Sequence, residues 1–224
     1  MLLQLEFLAA AKHPTFRSGL RASRLPILYA INELAKSGIT QIRNMDVSLE
    51  QYQLLEELET EGKLLIKVNS YLLAQENEYL KYNLNTNKSE NKMHRVVGIK
   101  LYADGALGSR GAAMLEDYSD EQGQKGILFL SDEELYRKAT AGLEKGFDIA
   151  IHSIGDAASR QVLQLYKRLF DEKRVAPNQE LSIEHSQNIQ PEDMHYFSEY
   201  PITVSVQPIH CTSDAPMAFK RLGN

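Results

Sequence analysis

Helical segments and short apolar runs alternate along most of this chain, each pair separated by a polar or glycine-bearing turn. Residues 25–36 (LPILYAINELAK) read as a helix, with Pro26 suited to its first turn and Gly38 to its stop, and residues 39–43 follow as a strand. Ser48 with Gln51 three residues on is a capping-box pattern that opens a second helix ending at Gly62, and residues 64–68 read as the next strand. A helical segment over residues 74–82 leads into a polar run over 83–92 that composition marks as a loop, an insertion rather than a domain boundary. The β-rich run 96–102 comes next, then a long glycine-rich connection from 104 to 130. Ser131 and Glu134 form a second capping box, opening a helix closed by Gly146. Beyond it come a strand over 148–152, a helix over 157–171, a strand over 181–185, a short helix after Pro191 and a strand over 202–206.

About six strand-then-helix units predict an α/β domain with a parallel sheet covered by helices. A doubly wound sheet and a partial (β/α)8 barrel both fit that alternation. Polar residues favour the barrel: Lys100, His152, His185 and Gln207 each fall within or at the end of a strand, where barrels place their chemistry.

Length and charge narrow the function. With 224 residues and 43% hydrophobic content the chain can bury the core of one domain, and residues 1–224 are read as a single, incomplete one. A formal net charge of -5 argues against nucleic acid or an anionic membrane as partner and leaves a small molecule. The opening stretch 1–11 is apolar but carries Glu6 and no basic flank, so it reads as a helix rather than a signal peptide. No run approaches the ~20 apolar residues of a membrane span. The one cysteine, Cys211, excludes an intrachain disulfide and suits a reducing, cytoplasmic compartment.

His152 and His185 end successive strands, and two imidazoles meeting at one sheet end can bind a divalent metal through neutral ring nitrogens. Each alone reads as a hydrogen-bonded strand cap; together they favour metal. Lys100 lies in an apolar strand, where an ammonium needs a partner such as Asp104 or Glu184, or a chemical change to a metal-bridging carbamate. The glycines from Asp104 to Gly111 suggest an anion cradle, though their spacing matches no phosphate motif. His210 beside Cys211 is no dyad if the segment is extended, because adjacent side chains then point apart. His13, His94 and His195 sit in polar surroundings and are expected to be solvated.

Four blocks in order, GIKLYADGALGSRGA (98–112), AIHSIGD (150–156), IEHSQ (183–187) and VSVQPIH (204–210), resemble the amidohydrolase family 3 group of metal-dependent hydrolases. The resemblance covers roughly residues 22–223 and implies a (β/α)8 TIM-type barrel with a small β-sandwich from the chain ends. It makes the four blocks strands four to seven, so that the chain holds about strands two to seven and lacks the first and last strands and the sandwich. By the same resemblance Lys100, His152 and His185 are metal ligands, Lys100 as a carboxylated bridge, and Gln207 and His210 line the substrate side. It implies one or two divalent ions, zinc foremost, and hydrolysis of an amide or related carbon–nitrogen bond. The family's first-strand His-x-His pair is not found, its general-base aspartate is expected beyond Asn224, and Asp214 comes too soon after the seventh strand to replace it. Gly111 and Ala157 stand where threonine and arginine are common. The expectation is a hydrolase fragment inactive or nearly so alone, with unpaired barrel edges available for homo-oligomerisation. The alternative is a catalytically dead barrel that serves as a binding or regulatory module.

Overall fold

The structure, a computed structural model, describes residues 24–74 and 92–223. The helix expected over 1–11, His13, and nearly all of the helix and loop expected over 74–92 lie outside the described residues. The chain divides into two compact units, Met1–Gly98 and Ile99–Asn224.

In the first unit, helix α1 (Arg24–Lys36) leads to strand β1 (Gln41–Val47), helix α2 (Leu49–Thr60) and strand β2 (Lys67–Leu73). β1 and β2 pair in parallel. The Ser48–Gln51 capping box forms with both of its hydrogen bonds. Both helices end in the same device: Gly38 and Gly62 take positive φ, and the next residue donates back into the helix, Ile39 to the Leu34 carbonyl and Lys63 to that of Leu58. That explains why β1 starts later than the apolar pattern suggests. Ile39 is spent closing α1, while Leu64 and Ile66 are buried in the core ahead of β2.

Strand β3 (His94–Tyr102) starts earlier than expected, and its first residue corrects a reading of the sequence. His94 is fully buried, not solvated. Its Nδ1 lies 2.6 Å from Glu56 Oε1 on α2 and its Nε2 2.9 Å from Ser70 Oγ on β2. The polar neighbours Lys92 and Arg95 hid this, since their charges lie outside the core while the ring between them turns inward.

The second unit holds the rest of β3 and then helix α3 (Asp132–Glu144), strand β4 (Asp148–Ser153), helix α4 (Asp156–Asp171) and strand β5 (Leu181–His185). A 3-10 turn at Pro191–Asp193, the short helix α5 (Tyr196–Glu199), strand β6 (Ile202–Ser205) and helices α6 (Ile209–Thr212) and α7 (Ala215–Leu222) complete it. The Ser131–Glu134 box caps α3 as expected. α4 closes like α1 and α2, but with Lys173 rather than glycine at positive φ.

The strands hydrogen-bond in chain order, β1-β2-β3-β4-β5-β6. β4–β5 and β5–β6 are parallel like β1–β2. A doubly wound sheet needs a point where strand order reverses. Its absence from this order leaves the α/β topology of a partial barrel, with described helices crossing from β1 to β2 and between successive strands from β3 to β6. No helix among the described residues is long and apolar enough to cross a membrane.

Candidate functional site

Three strand ends of the second unit bring the singled-out residues together. Lys100 on β3 is 1% exposed, His152 on β4 8% and His185 at the end of β5 9%. The Lys100 ammonium lies 3.7 Å from the centre of the Tyr102 ring, and that ring is 4.9 Å from the His152 ring. The His152 and His185 rings meet edge to face with centroids 4.6 Å apart. His210, in the first turn of α6, continues the chain 5.9 Å from His185. Gln207, between β6 and α6, points its amide at His185, with Oε1 2.6 Å from Nδ1. All five expected site residues therefore belong to one cluster, with Tyr102 as an addition.

The backbone is bent where the cluster needs it. His185 and Ser186 have φ of 75° and 44°, in the left-handed region that side chains rarely adopt. Strain of this kind is held in place by surrounding structure and concentrates at functional sites.

Asp104, which the sequence offers as a partner for Lys100 and as the start of the glycine-rich loop, organises the site. It is fully buried just past β3. Its Oδ1 accepts from the Ile154 N–H at 3.0 Å, and its Oδ2 from those of Gly155 at 2.7 Å and Ala113 at 2.9 Å. One carboxylate thus ties the turn after β4 to the glycine-rich connection, 3.5 Å from His152 Nε2. Burial pushes its pKa up to about 6, against the pull of those N–H groups and of the Lys100 charge. An acidic residue directly after an apolar strand was the signal for it.

Bonding within the glycine-rich loop counts against an anion cradle. The N–H groups of Gly105, Arg110, Gly111 and Ala112 are bonded to carbonyls of the same loop, leaving them unavailable to an anion. Gly105 is glycine because a Cβ there would meet the Gly111 backbone at 3.2 Å. Cys211 lies in a short helix rather than an extended segment and is exposed. His195 is exposed, as expected.

Both central imidazoles are kept neutral. Burial, the Lys100 charge and the neighbouring His185 lower the His152 pKa to about 3. Burial lowers that of His185 as well, opposed by the Gln207 hydrogen bond and assisted by Lys100. Burial also holds His94 below its ordinary value. A histidine whose folded pKa is depressed contributes stability above its unfolded pKa of roughly 6.5, and that contribution is lost as pH falls below it. Asp104 works the other way, taking up its proton in the folded state near pH 6. Three imidazoles oppose one carboxyl, so the urea midpoint is expected to fall between about pH 7 and about pH 5. A flat or rising midpoint over that range would contradict the burial of these rings.

Neutral imidazoles in contact are the right donor type for a borderline divalent ion. Lys100 fits as a ligand only without its positive charge. Among the described residues no group of three or more His, Cys, Asp or Glu is placed to hold a metal, so the lysine decides the donor count.

Comparison with known proteins agrees with this arrangement. The model of the amidohydrolase family matches residues 22–224. The chain is 34% identical to the protein LONG AFTER FAR-RED 3 of Arabidopsis thaliana over 131 residues, 57% of this chain and 22% of that protein. It is 35% identical to YtcJ of Bacillus subtilis (strain 168) over 126 residues, 56% of this chain and 23% of YtcJ. The crystal structure of an uncharacterized metal-dependent hydrolase from Pyrococcus furiosus superimposes with a TM-score of 0.79 at 29% identity, over 89% of this chain and 40% of that one. The chain therefore spans less than a quarter of the length of either relative and less than half of the solved hydrolase.

Proposed function

Because the chain belongs to the amidohydrolase family, we propose that it carries part of a divalent-metal centre that hydrolyses amide-type carbon–nitrogen bonds. The observation that carries this reading is the contact of two buried, neutral imidazoles from different strands, His152 and His185, with centroids 4.6 Å apart. These two would offer ring nitrogens to the ion. Lys100, from a third strand, would join them once its neutral amine has taken up carbon dioxide and become a carbamate anion. Zinc, as one or two ions, would supply an acidified water and a Lewis acid for the scissile carbonyl.

The protein's own part is to bind and orient. The buried strand ends exclude water from the donor cluster, Asp104 fixes the turn that follows His152, and Gln207 and His210 border the side from which a small substrate enters. In this reading β1 to β6 are strands two to seven of a (β/α)8 barrel, with β3 to β6 as strands four to seven. A full centre would need further donors, so the chain alone should be inactive or nearly so. β1 and β6 are the outer strands of the sheet among the described residues, and in this reading their edges pair copies into a homo-oligomer. A cytoplasmic setting suits the single cysteine.

Equilibrium dialysis against zinc tests the centre. The full chain is expected to take up metal, and His152→Ala or His185→Ala to weaken uptake by at least ~10-fold. Unchanged uptake in both variants would refute the reading. The absence of three His, Cys, Asp or Glu donors among the described residues supports a second one, a barrel that binds small molecules without catalysis. A wild-type chain that takes up no metal would favour it.

A further inference from the structure

We propose that Gln207 is a positioning residue that fixes His185 as the Nδ1–H tautomer and so leaves Nε2 as the only nitrogen of that ring able to bind a ligand. The tautomer stands on this chain's geometry alone; only the ligand's being a metal rests on the reading above.

Three observations carry the inference. A neutral imidazole has one N–H and one lone pair, and the partner of one nitrogen decides the role of the other. The His185 ring is buried, and its Nδ1 lies 2.6 Å from Gln207 Oε1, an atom that can only accept. Nδ1 must then carry the hydrogen, and above the imidazole titration range Nε2 carries the lone pair.

The backbone holds Gln207 where this requires. β6 pairs in parallel with β5, Glu184 opposite Ser205, so Gln207 lies just beyond the strand partner of the residue preceding His185. The Gln207 carbonyl accepts from the His210 N–H at 3.0 Å as the chain turns into α6. From the other side, the left-handed φ of His185 and Ser186 sets how the ring leaves β5. The side chain of one strand end is thus oriented by a residue two positions beyond the neighbouring strand. This gives Gln207 a task besides bordering the substrate: it orients a donor.

Long-range nitrogen–proton correlation spectra of the uniformly labelled full chain, recorded above the imidazole titration range, read the tautomer directly. The His185 signals are assigned by their loss in His185→Gln. The wild type is expected to show Nδ1–H. Gln207→Glu, which keeps an acceptor, should preserve it, and Gln207→Leu, which keeps bulk without one, should shift the population towards Nε2–H. Zinc affinity, measured in parallel, should fall by ~10–100-fold in Gln207→Leu and recover in Gln207→Glu. A wild type in the Nε2–H form would overturn the proposal. So would Gln207→Leu with the wild-type proportion of Nδ1–H. A wild type that shows the expected tautomer yet takes up no zinc would leave the role of Gln207 standing and remove the metal centre, so the two failures are separable.

Discussion

Asp104→Ala is expected to lower the unfolding free energy by at least ~3 kcal/mol, because each of its donors left buried without an acceptor costs about 1–3 kcal/mol. Those donors are the N–H groups of Ala113, Ile154 and Gly155, all bonded to this carboxylate at 2.7 to 3.0 Å. Water cannot readily replace it, since the side chain is fully buried. Asp104→Asn separates the geometric part from the charge. Its oxygen can keep Gly155 and Ala113, but its NH2 then faces the Ile154 N–H, so a smaller loss is expected, ~1–2 kcal/mol. Urea denaturation of the three proteins, with the slope held common, measures both. A midpoint for Asp104→Ala indistinguishable from wild type would mean that these bonds do not hold the turn. Because that turn directly follows His152, the alanine variant should also weaken zinc uptake, whereas a surface carboxylate such as Glu116 should have no such effect.

Much of this could be read in advance, and the reasons differ by element. Helix boundaries were legible where the terminating device has a dedicated residue: Ser with Gln or Glu three residues on at the start, and Gly38, Gly62 and Gly146 at positive φ at the end. The end of α4 was placed by pattern, although its own device uses Lys173, which carries no such signal. The strands bearing Lys100, His152 and His185 were legible as short runs with an apolar core bounded by turn residues, each carrying a charged or imidazole side chain that burial permits only in a special environment. That their side chains share one cluster followed from parallel strands ending at the same edge of a sheet. Two features were not legible. His94 sits among charged neighbours and yet is buried, because Glu56 and Ser70 wait for it on α2 and β2, far away in sequence. The bond from Gln207 to His185 likewise depends on the register between β5 and β6, which no local pattern encodes. Asp104 falls between: its position after a strand was visible, its three backbone partners were not.

Gly155 shows a different kind of constraint, and Gly155→Ala is expected to be among the most damaging single changes in the chain. Its φ of -74° and ψ of 155° are open to any residue, so conformational freedom does not explain the glycine. Space does: a Cβ there would sit 2.0 Å from the Ala113 carbonyl oxygen and 2.5 Å from its carbon. These are backbone atoms with little freedom to retreat. The Ala113 carbonyl accepts from the Ala157 N–H at 3.0 Å, and its own N–H is held by Asp104. Relief therefore requires moving either the first turn of α4 or the segment that Asp104 anchors, and both movements break bonds. Overpacking against a side chain costs about 1–3 kcal/mol, and against fixed backbone the loss should reach or exceed the top of that range. Gly62→Ala is the informative control. It has the opposite character, with φ of 65° and nothing within 4 Å of its Cβ, so only the left-handed backbone penalty of about 1–2 kcal/mol applies. Thermal or urea melts should rank Gly155→Ala well below Gly62→Ala. The reverse order, or near-equality, would show that the turn after β4 does not press against the glycine-rich connection, and with it would go the claim that this contact sets the place of His152.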